Sequence, residues 1–371
     1  MIALNFELVK EIPDAYNFEG SPGINVLNNA LLATVSIEEG FFGKYDFYRS
    51  ADGGATWNKI SSLSHNGPQI GARVVNLPGN VLITATTDIS NNTLKIYRST
   101  NGGDTWNIAQ EYPTASNPDS LIAYFTCRGI KRHGAIVAGF LNRAQGGGYN
   151  SQLTFSEDFG ETWDDTDAIV LSTMDDGIDQ LANGGDGAML AANETGWVHK
   201  TADYGKTWEA TEAPEVPSGE VHLYARSVTY IDKNRALAGG AITSETDPYW
   251  PVLYYSDDGG ATWTHVPASD IENWPNSGFA LVVHELTRLT KDGAILGVED
   301  TFKRNMAPWR YSIDRGATWK EPTQTGGHPS TDFNMVRGAI AIDEQGNIWS
   351  VVDQTTGFVS TAQIWKGTLT C

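Results

Sequence analysis

The sequence predicts an all-β protein built from repeated four-stranded units, and three observations carry this prediction. One eight-residue phrase recurs six times, and its copies begin 49, 57, 45, 55 and 56 residues apart. A phrase that returns at such a period is typical of a repeat architecture. Each copy follows a short run of aromatic or β-branched residues, which is typical of a strand. The composition, with 39 glycines and 12 tryptophans in 371 residues, suits a chain rich in turns.

The phrase contains the residues of a tight turn between two strands. Its copies are SADGGATW (50–57), STNGGDTW (99–106), SEDFGETW (156–163), TADYGKTW (201–208), SDDGGATW (256–263) and SIDRGATW (312–319). The Ser/Thr and Asp/Asn oxygens can accept backbone N–H bonds, and the glycine at the fifth position suits a positive φ. The tryptophan is large enough to pack between neighbouring sheets. We interpret the Asp as a turn former rather than a metal ligand, and we predict no metal and no cofactor.

The phrase resembles the Asp box, S/T-x-D-x-G-x-T-W, of the sialidase-type β-propellers, also called the BNR repeat. The resemblance implies an all-β, seven-bladed β-propeller with six Asp boxes, forming a single domain over residues 1–371. It also implies that the boxes lie on the face away from the active site. A seventh repeat without a box is predicted from Met335 onward. Asn5–Ile12 resembles the strand after each box. We expect it to complete the last sheet and close the ring, which removes exposed sheet edges.

The strands are predicted from the same apolar runs in chain order. The predicted strands are 24–36, 44–49 and 58–63 in repeat one; 70–76, 81–87 and 94–98 in repeat two; 121–130, 135–141 and 152–155 in repeat three; 178–183, 188–193 and 196–200 in repeat four; 221–231, 236–241 and 252–255 in repeat five; 279–289, 294–298 and 309–311 in repeat six; and 335–342, 348–352 and 362–366 in repeat seven.

The formal net charge of −20 argues against nucleic acid or an anionic membrane as the main partner. There is no run of about 18 apolar residues, and no signal peptide is visible at the N-terminus. We therefore expect no membrane insertion. An extracellular, periplasmic or virion-associated location is compatible with the sequence. Two cysteines, Cys127 and Cys371, do not make a disulfide scaffold, and we interpret Cys127 as a small buried residue in a strand.

In a propeller, the loops between the second and third strands of each repeat lie opposite the boxes, and loops on a rigid scaffold often carry function. Four of these loops are predicted to be rich in aromatic residues that can stack on sugar rings. They are Phe41-Phe42, Arg143–Tyr149, Tyr249-Trp250 and Met306–Trp309. The alternative is that these rings pack between loops.

Basic residues recur at the start of the first strand of several repeats, which suits binding of carboxylate or sulfate groups. His222 and Arg288 lie in comparable places. The alternative is that each arginine pairs with a nearby acid between repeats. With two of the loop aromatics, the predicted substrate-binding set is Arg73, Arg128, Tyr149, Arg226, Trp250, His284 and Arg337.

Three further phrases resemble those of propeller-type polysaccharide lyases such as ulvan lyases. Ser64–Ile70 matches D-H-N-x-P-x-I except at the leading Asp, Ile122–Phe125 keeps the Tyr of T-Y-P, and Phe140–Gly148 keeps the Arg and glycines of F-Y-R-x-G-x-x-G with one residue inserted. The resemblance implies that His65, Tyr124 and Arg143 are catalytic.

β-Elimination at a uronic acid suits these residue types, because it needs a cation for the carboxylate and groups that give and take protons. The alternative interpretation of His65 is a solvent-exposed histidine in a linker. The leading hypothesis is therefore a polysaccharide lyase whose partner is an anionic oligo- or polysaccharide.

Three alternatives stay open. A sialidase-like glycoside hydrolase would carry an F/Y-R-I-P phrase in repeat one, where Gly23-Ile-Asn-Val stands instead, although Arg226, Arg337, Glu220 and Glu285 are residues of the required types. The others are a non-catalytic glycan-binding propeller of the adhesin type and a protein-assembly factor.

Overall fold

The computed structural model describes residues 3–15, 23–39, 42–66, 74–88, 90–91, 93–113, 127–129, 136–143, 149–163, 169–172, 178–193, 197–203, 205–211, 214, 222–243, 250–274, 281–288, 293–300, 306–327, 335–356 and 359–370. These residues form 28 β-strands and one short 3-10 helix, Ala268–Asp270. The predicted all-β class is confirmed. Across these ranges, no helix is long and apolar enough to cross a membrane.

Internal packing divides the chain into two compact parts. The first consists of Met1–Asn5, Ile178–Met335 and Leu369–Cys371, and the second of Phe6–Gly177 and Val336–Thr368. Each is described below by itself.

Repeats one and two belong to the second compact part. Their strands are β2 (Gly23–Val26), β3 (Leu31–Glu39), β4 (Phe42–Ser50) and β5 (Asn58–Asn66), then β6 (Val75–Leu77), β7 (Val81–Asp88), β8 (Thr93–Ser99) and β9 (Asn107–Pro113). Within each repeat, consecutive strands pair antiparallel. A parallel bridge between Asn66 and Asp88 joins the two repeats into one eight-stranded sheet.

Repeats three, four and five each form a four-stranded sheet in chain order. Their strands are β10 (Cys127–Gly129), β11 (Ile136–Arg143), β12 (Tyr149–Ser156) and β13 (Ile169–Ser172); β14 (Ile178–Gly185), β15 (Ala188–Asn193), β16 (Val198–Thr201) and β17 (Glu209–Ala210); and β18 (His222–Tyr230), β19 (Ala236–Thr243), β20 (Trp250–Ser256) and β21 (Thr264–His265). Repeat six forms a three-stranded sheet of β22 (Leu281–Arg288), β23 (Ala294–Asp300) and β24 (Met306–Ser312).

The N-terminal strand β1 (Ala3–Pro13) lies beside β28 (Val359–Thr370) of repeat seven, which also contains β26 (Met335–Ile342) and β27 (Ile348–Thr356). Gln363 of β28 donates a hydrogen bond of 3.0 Å to Glu11 of β1. In the first compact part, Ala3–Asn5 pair in parallel with β25 (Thr323–Thr325). The described strands form six hydrogen-bonded sheets rather than seven separate ones, because repeats one and two share a sheet.

All six copies of the repeated phrase form the same hydrogen-bonded turn. In the first copy, the Ser50 hydroxyl donates to Asp52 and accepts the Gly54 N–H, both at 2.8 Å. The Asp52 carboxylate accepts the Thr56 N–H at 2.9 Å and the Thr56 hydroxyl at 2.6 Å. Gly54 has a φ of 94°. Four other copies repeat this pattern. In repeat two, Asn101 replaces the Asp, and its amide donates to the threonine hydroxyl instead of accepting from it.

In repeats three and six, the tryptophan that ends the phrase packs on the repeat before its own. Trp163 of repeat three packs with Val75, Ile83 and Ile96 of repeat two, and Trp319 of repeat six packs with Leu237 and Leu253 of repeat five. Because these large rings cover a neighbouring sheet, burial of apolar surface between repeats stabilises each compact part.

Within the second compact part, the tryptophan that ends the repeat-one phrase packs on repeat seven in the same way. Trp57 packs edge-on against Trp349 with ring centroids 6.1 Å apart. A Cβ added to Gly54 would lie 2.1 Å from the Trp349 ring, so the repeat-one turn makes close contact with repeat seven.

Candidate functional site

A polar cleft of about 550 Å³ lies between repeats one and two in the second compact part. It opens at the ends of β4, β5, β7 and β8 that point away from the repeated turns. Its lining residues are Gly43, Lys44, Ser64, His65, Asn66, Thr86, Asp88, Ser90, Asn91, Lys95 and Tyr97. We call it the His65 cleft.

His65 is buried in the wall of this cleft, with 5% of its surface exposed. It lies within β5, where it pairs with Gly43 of β4. Its imidazole stacks at a tilt on the Tyr45 ring, with centroids 4.7 Å apart. Both ring nitrogens are shielded from solvent. The alternative interpretation of His65 as an exposed linker histidine is therefore wrong, and so is its placement in a linker, because β5 continues through Asn66.

Gly43 makes room for this imidazole. A Cβ built on Gly43 would lie 2.6 Å from both Cε1 and Nε2 of His65. The Gly43 backbone is not in the positive-φ region, so conformational freedom does not explain a glycine within this strand. The glycine is explained by the close approach of the His65 imidazole, which leaves no room for a side chain at position 43.

Asp88 and Lys95 form an ion pair of 3.0 Å on the repeat-two side of the cleft. Partial burial alone would raise the pKa of Asp88, but hydrogen bonds from Asn91 and Lys95 outweigh it and hold that pKa below its ordinary value. The hydrogen bond to Asp88 raises the pKa of Lys95. Both groups are therefore charged around neutral pH and balance each other, and the cleft also contains Lys44 as a second lysine beside one carboxylate.

Tyr97 follows Lys95 by two residues on β8, so both residues lie on the same face of the strand. Its half-buried ring packs against the apolar cluster that contains Tyr45 and Leu63. Asn66 donates to Ser90 across the mouth of the cleft. The cleft thus combines a cation with hydroxyl and amide groups, a phenol and an imidazole.

Sequence reasoning found His65 but missed Gly43, Asp88, Lys95 and Tyr97. A signal was present, because Lys95 and Tyr97 alternate on the strand just before the second phrase. The sequence does not show that residues of β5 and β8 line the same cleft, because this depends on how the two repeats pack.

Among the other predicted residues, Arg143 and Tyr149 pair directly in the backbone register of β11 and β12. Arg128 of β10 pairs with Val137, and Arg337 lies in β26. Tyr124 and Arg73 fall outside the described residues. The convergence of His65, Tyr124 and Arg143 stays a prediction.

Described residues of three predicted aromatic loops lie in strands instead. Trp250 begins β20 and pairs with Ile242, and Phe42 begins β4. Met306–Trp309 lie in β24, and Trp309 is fully buried. Trp309 is therefore a core residue, and the prediction of a sugar-stacking loop there is wrong.

Arg226 and His284 are the extra residues of two β-bulges. Each lies at a β-bulge in the first strand of its repeat, between Ala225 and Ser227 in repeat five and between Val283 and Glu285 in repeat six. Arg226 is half-buried.

Within each compact part, antiparallel sheets that carry the same turn pack on neighbouring sheets, which is typical of a β-propeller. Residues 56–370 match the model of the DUF6242 beta propeller domain, and the chain belongs to this family. No curated protein matches the sequence.

Solved structures with the same fold include a polysaccharide lyase, Uly1, with a TM-score of 0.58 and 10% identity over 94% of this chain and 90% of that chain. YCF48 bound to D1 peptide has a TM-score of 0.53 and 13% identity over 97% and 98% of the two chains. The Penicillium chrysogenum alpha-L-arabinanase complexed with arabinobiose has a TM-score of 0.48 and 15% identity over 97% of each chain. At these identities, the two likenesses with TM-scores above 0.5 show the fold alone.

Proposed function

We propose that this protein is a carbohydrate-active propeller that binds a uronate-containing polysaccharide in the His65 cleft and cleaves it by β-elimination. One observation carries the proposal. His65, Lys95 and Tyr97 line a single cleft, on the ends of the strands that point away from the repeated turns.

The lining of the cleft supports a glycan ligand. Ser64, Asn66, Ser90 and Asn91 offer hydroxyl and amide groups, which suit the many hydroxyls of a sugar chain. Two lysines, Lys44 and Lys95, line the cleft against one carboxylate, Asp88, so the cleft is locally positive in a protein whose net charge is −20. Because salt screens the distant charges beyond about 8–10 Å, the excess of one lysine over the carboxylate in the cleft favours binding of a carboxylate.

The reaction assigns each group a step. A base takes the C5 proton of the uronate, the electron pair forms the C4–C5 double bond, and the C4–O bond breaks as the leaving oxygen takes a proton. We propose that Arg143 neutralises the carboxylate of the uronate and that His65 and Tyr124 take and give the two protons. We also propose that Lys95 and Tyr97, which line the cleft with His65, contact the same glycan. Since both His65 nitrogens are shielded here, proton transfer at His65 requires the ring to move when the glycan binds; catalytic contacts often tighten only in the complex.

We also propose that seven repeats form one closed ring and that the six turns are Asp boxes. The four-stranded runs β2–β5 and β6–β9 count as two blades that share one bridge. Contact between Trp57 and Trp349 supports closure between repeats one and seven.

A panel of uronate polysaccharides tests the cleavage. The product of β-elimination carries a C4–C5 double bond that absorbs in the ultraviolet. We expect absorbance to rise with the wild type and the rate to fall at least about 100-fold in His65→Ala, the usual scale for loss of a proton-transfer group. Ser269→Ala, an exposed change distant in sequence, is the control. Absence of new absorbance on every uronate polymer refutes the lyase.

A non-catalytic glycan-binding propeller is the second candidate, and the shielded nitrogens of His65 favour it. Such a protein retains the glycan in an equilibrium binding assay but releases no unsaturated product and no new reducing ends. Its affinity stays within about twofold in His65→Ala, because a shielded imidazole contributes little to binding.

A further inference from the structure

Asp88 is the one acid among the described residues that line the His65 cleft, and its carboxylate has acceptor capacity to spare. Lys95 Nζ and the Asn91 side-chain amide both donate to its Oδ2 atom, at 3.0 and 2.8 Å. Among the described residues, the Oδ1 atom accepts only the Asn91 N–H, at 3.3 Å. A carboxylate can accept about four hydrogen bonds. Within the described part of the chain, Oδ1 therefore has room for one more donor.

Lys95 offers the complementary group. Its ammonium carries further N–H donors besides the one that it gives to Asp88. Both side chains reach solvent, because that of Lys95 is 21% exposed and that of Asp88 is 16% exposed. They extend from β8 and β7, which pair antiparallel. A donor and an acceptor thus lie side by side in the wall of the cleft.

The surrounding backbone holds this pair in place. Asp88 ends β7, and its two hydrogen bonds to Asn91 fix the turn that leads to β8. Ser90 of the same turn accepts a hydrogen bond from Asn66 of repeat one, and Asn66 also pairs with Asp88 in the parallel bridge. Because the polar groups are already ordered, little entropy is lost when a ligand binds to them.

We propose that Asp88 and Lys95 form a subsite for an unsubstituted hydroxyl group of the glycan, and that Asp88 excludes a sulfate ester from the sugar bound there. The sugar hydroxyl donates to Asp88 Oδ1, and its oxygen accepts an N–H of Lys95. A sulfate ester has no hydrogen to donate at this position and brings a negative charge to the carboxylate. This inference rests on the proposed glycan ligand of the cleft, and it narrows the substrate to uronate glycans that are unsulfated where they meet Asp88.

The lysine does not reverse this preference, because Asp88 already balances its charge. A sulfate in the subsite is attracted by Lys95 and repelled by Asp88, and it leaves the Oδ1 acceptor without a donor. An acceptor that is desolvated and gains no donor weakens binding. We therefore expect the unsulfated ligand to bind about tenfold more tightly than the sulfated one.

Calorimetric titration with oligosaccharides of unsulfated chondroitin, hyaluronan and heparosan tests the subsite, each beside its sulfated form. The titrations use the His65→Ala variant, in which the proposed cleavage is blocked and the ligands stay intact. We expect at least one unsulfated oligosaccharide to bind, about tenfold more tightly than its sulfated form.

Two further substitutions should change this ratio in opposite directions. Asp88→Asn leaves the charge of Lys95 unbalanced, so the preference for the unsulfated form should vanish or reverse. Lys95→Gln leaves the charge of Asp88 unbalanced, so the preference should widen. A merely structural role of either residue would weaken both ligands equally and leave their ratio unchanged. If Asp88→Asn does not fold, the widening in Lys95→Gln still tests the subsite.

Asp104→Asn is the matched control. It removes the same charge from the repeat-two turn, where Asp104 pairs with Arg49 at 2.9 Å and is 45% exposed, and the ratio should stay within about twofold. Equal or tighter binding of the sulfated forms before Asp88 is changed, an unchanged ratio in Asp88→Asn or Lys95→Gln, or no binding of any unsulfated oligosaccharide overturns the subsite. Binding with the expected preference but without cleavage by the wild type refutes the lyase and leaves the subsite intact.

Discussion

The imidazole of His65 rests on Gly43 at a distance that a larger residue at position 43 does not allow. A Cβ there would lie 2.6 Å from Cε1 and Nε2 of His65 and 3.0 Å from the Ile37 carbonyl oxygen. Because the histidine is buried at the wall of a polar cleft, the glycine sets where the ring lies. Two residues that are 22 positions apart thus act as one structural unit.

The first prediction concerns this pair. Gly43→Ala forces the imidazole away, and overpacking of this kind costs about 1–3 kcal/mol of unfolding free energy. In the His65→Ala background, most of that cost should vanish, because the clashing ring is gone. Denaturant unfolding of the wild type, both single variants and the double variant measures the coupling. Additive effects would mean that the glycine serves some other purpose.

The repeated turns give a prediction about acid. In the fifth turn, hydrogen bonds from Thr262 and Ser256 outweigh partial burial and lower the pKa of Asp258 to about 2. Its folded-state pKa lies below its ordinary value, so its contribution to stability is complete above about pH 4. The contribution is lost as the pH falls towards about 2. Because the carboxylate is exposed, solvent screening keeps the effect small.

A natural copy of the turn supplies the matched variant. Asn101 replaces the Asp in repeat two, where its side chain accepts the Thr105 N–H at 3.0 Å and donates to the Thr105 hydroxyl at 2.9 Å. Asp258→Asn should therefore keep the turn, and its unfolding midpoint should change less between pH 5 and pH 2 than that of the wild type. Asp258→Ala should lose about 1–3 kcal/mol at neutral pH. If the unfolding midpoints of the wild type and Asp258→Asn fall equally between pH 5 and pH 2, then the Asp258 carboxylate does not cause the loss of stability in acid.

The third prediction compares two arginines of the first compact part. Arg310 is buried and donates hydrogen bonds of 2.7 Å to the carbonyl oxygens of Glu272 and Asn273. Arg310→Met should lower the unfolding free energy by about 2–4 kcal/mol, because charge-assisted bonds are lost. Arg315 pairs with Asp232 at 2.7 Å, but its side chain is 40% exposed, so Arg315→Gln should cost less than about 1 kcal/mol. Thermal or denaturant unfolding measures both variants. If Arg310→Met and Arg315→Gln lower the unfolding free energy equally, then burial of the arginine does not determine its contribution to stability.

The turns and most strands could be predicted from the sequence because their determinants are local. Asp52 bonds to Thr56, four residues on, and each strand is a contiguous apolar run. The burial of His65 and Trp309 could not be predicted, since it depends on residues in other strands. The bulges left no sequence signal, because Arg226 stands among ordinary strand residues and only the pairing with β19 shows that it is extra.

The pairing of β25 with β1 could not be predicted from the sequence either. After the sixth turn, Lys320 pairs with Tyr311 of β24, and Thr323–Thr325 then pair with Ala3–Asn5 of β1. A three-residue segment has too little pattern to specify its partner, and the N-terminal strand offers it a free edge.

The last prediction tests whether the N-terminal strand is part of the folded core. Leu4 is fully buried, whereas Leu8 of the same strand is 39% exposed. Leu4→Ala should lower the unfolding free energy by about 2–5 kcal/mol, because it leaves a cavity. Leu8→Ala should change it by less than about 1 kcal/mol, since a partly exposed side chain leaves no comparable cavity. Denaturant unfolding of both variants measures the difference. If Leu4→Ala is as mild as Leu8→Ala, then β1 detaches without loss of the core and does not complete the last sheet in solution.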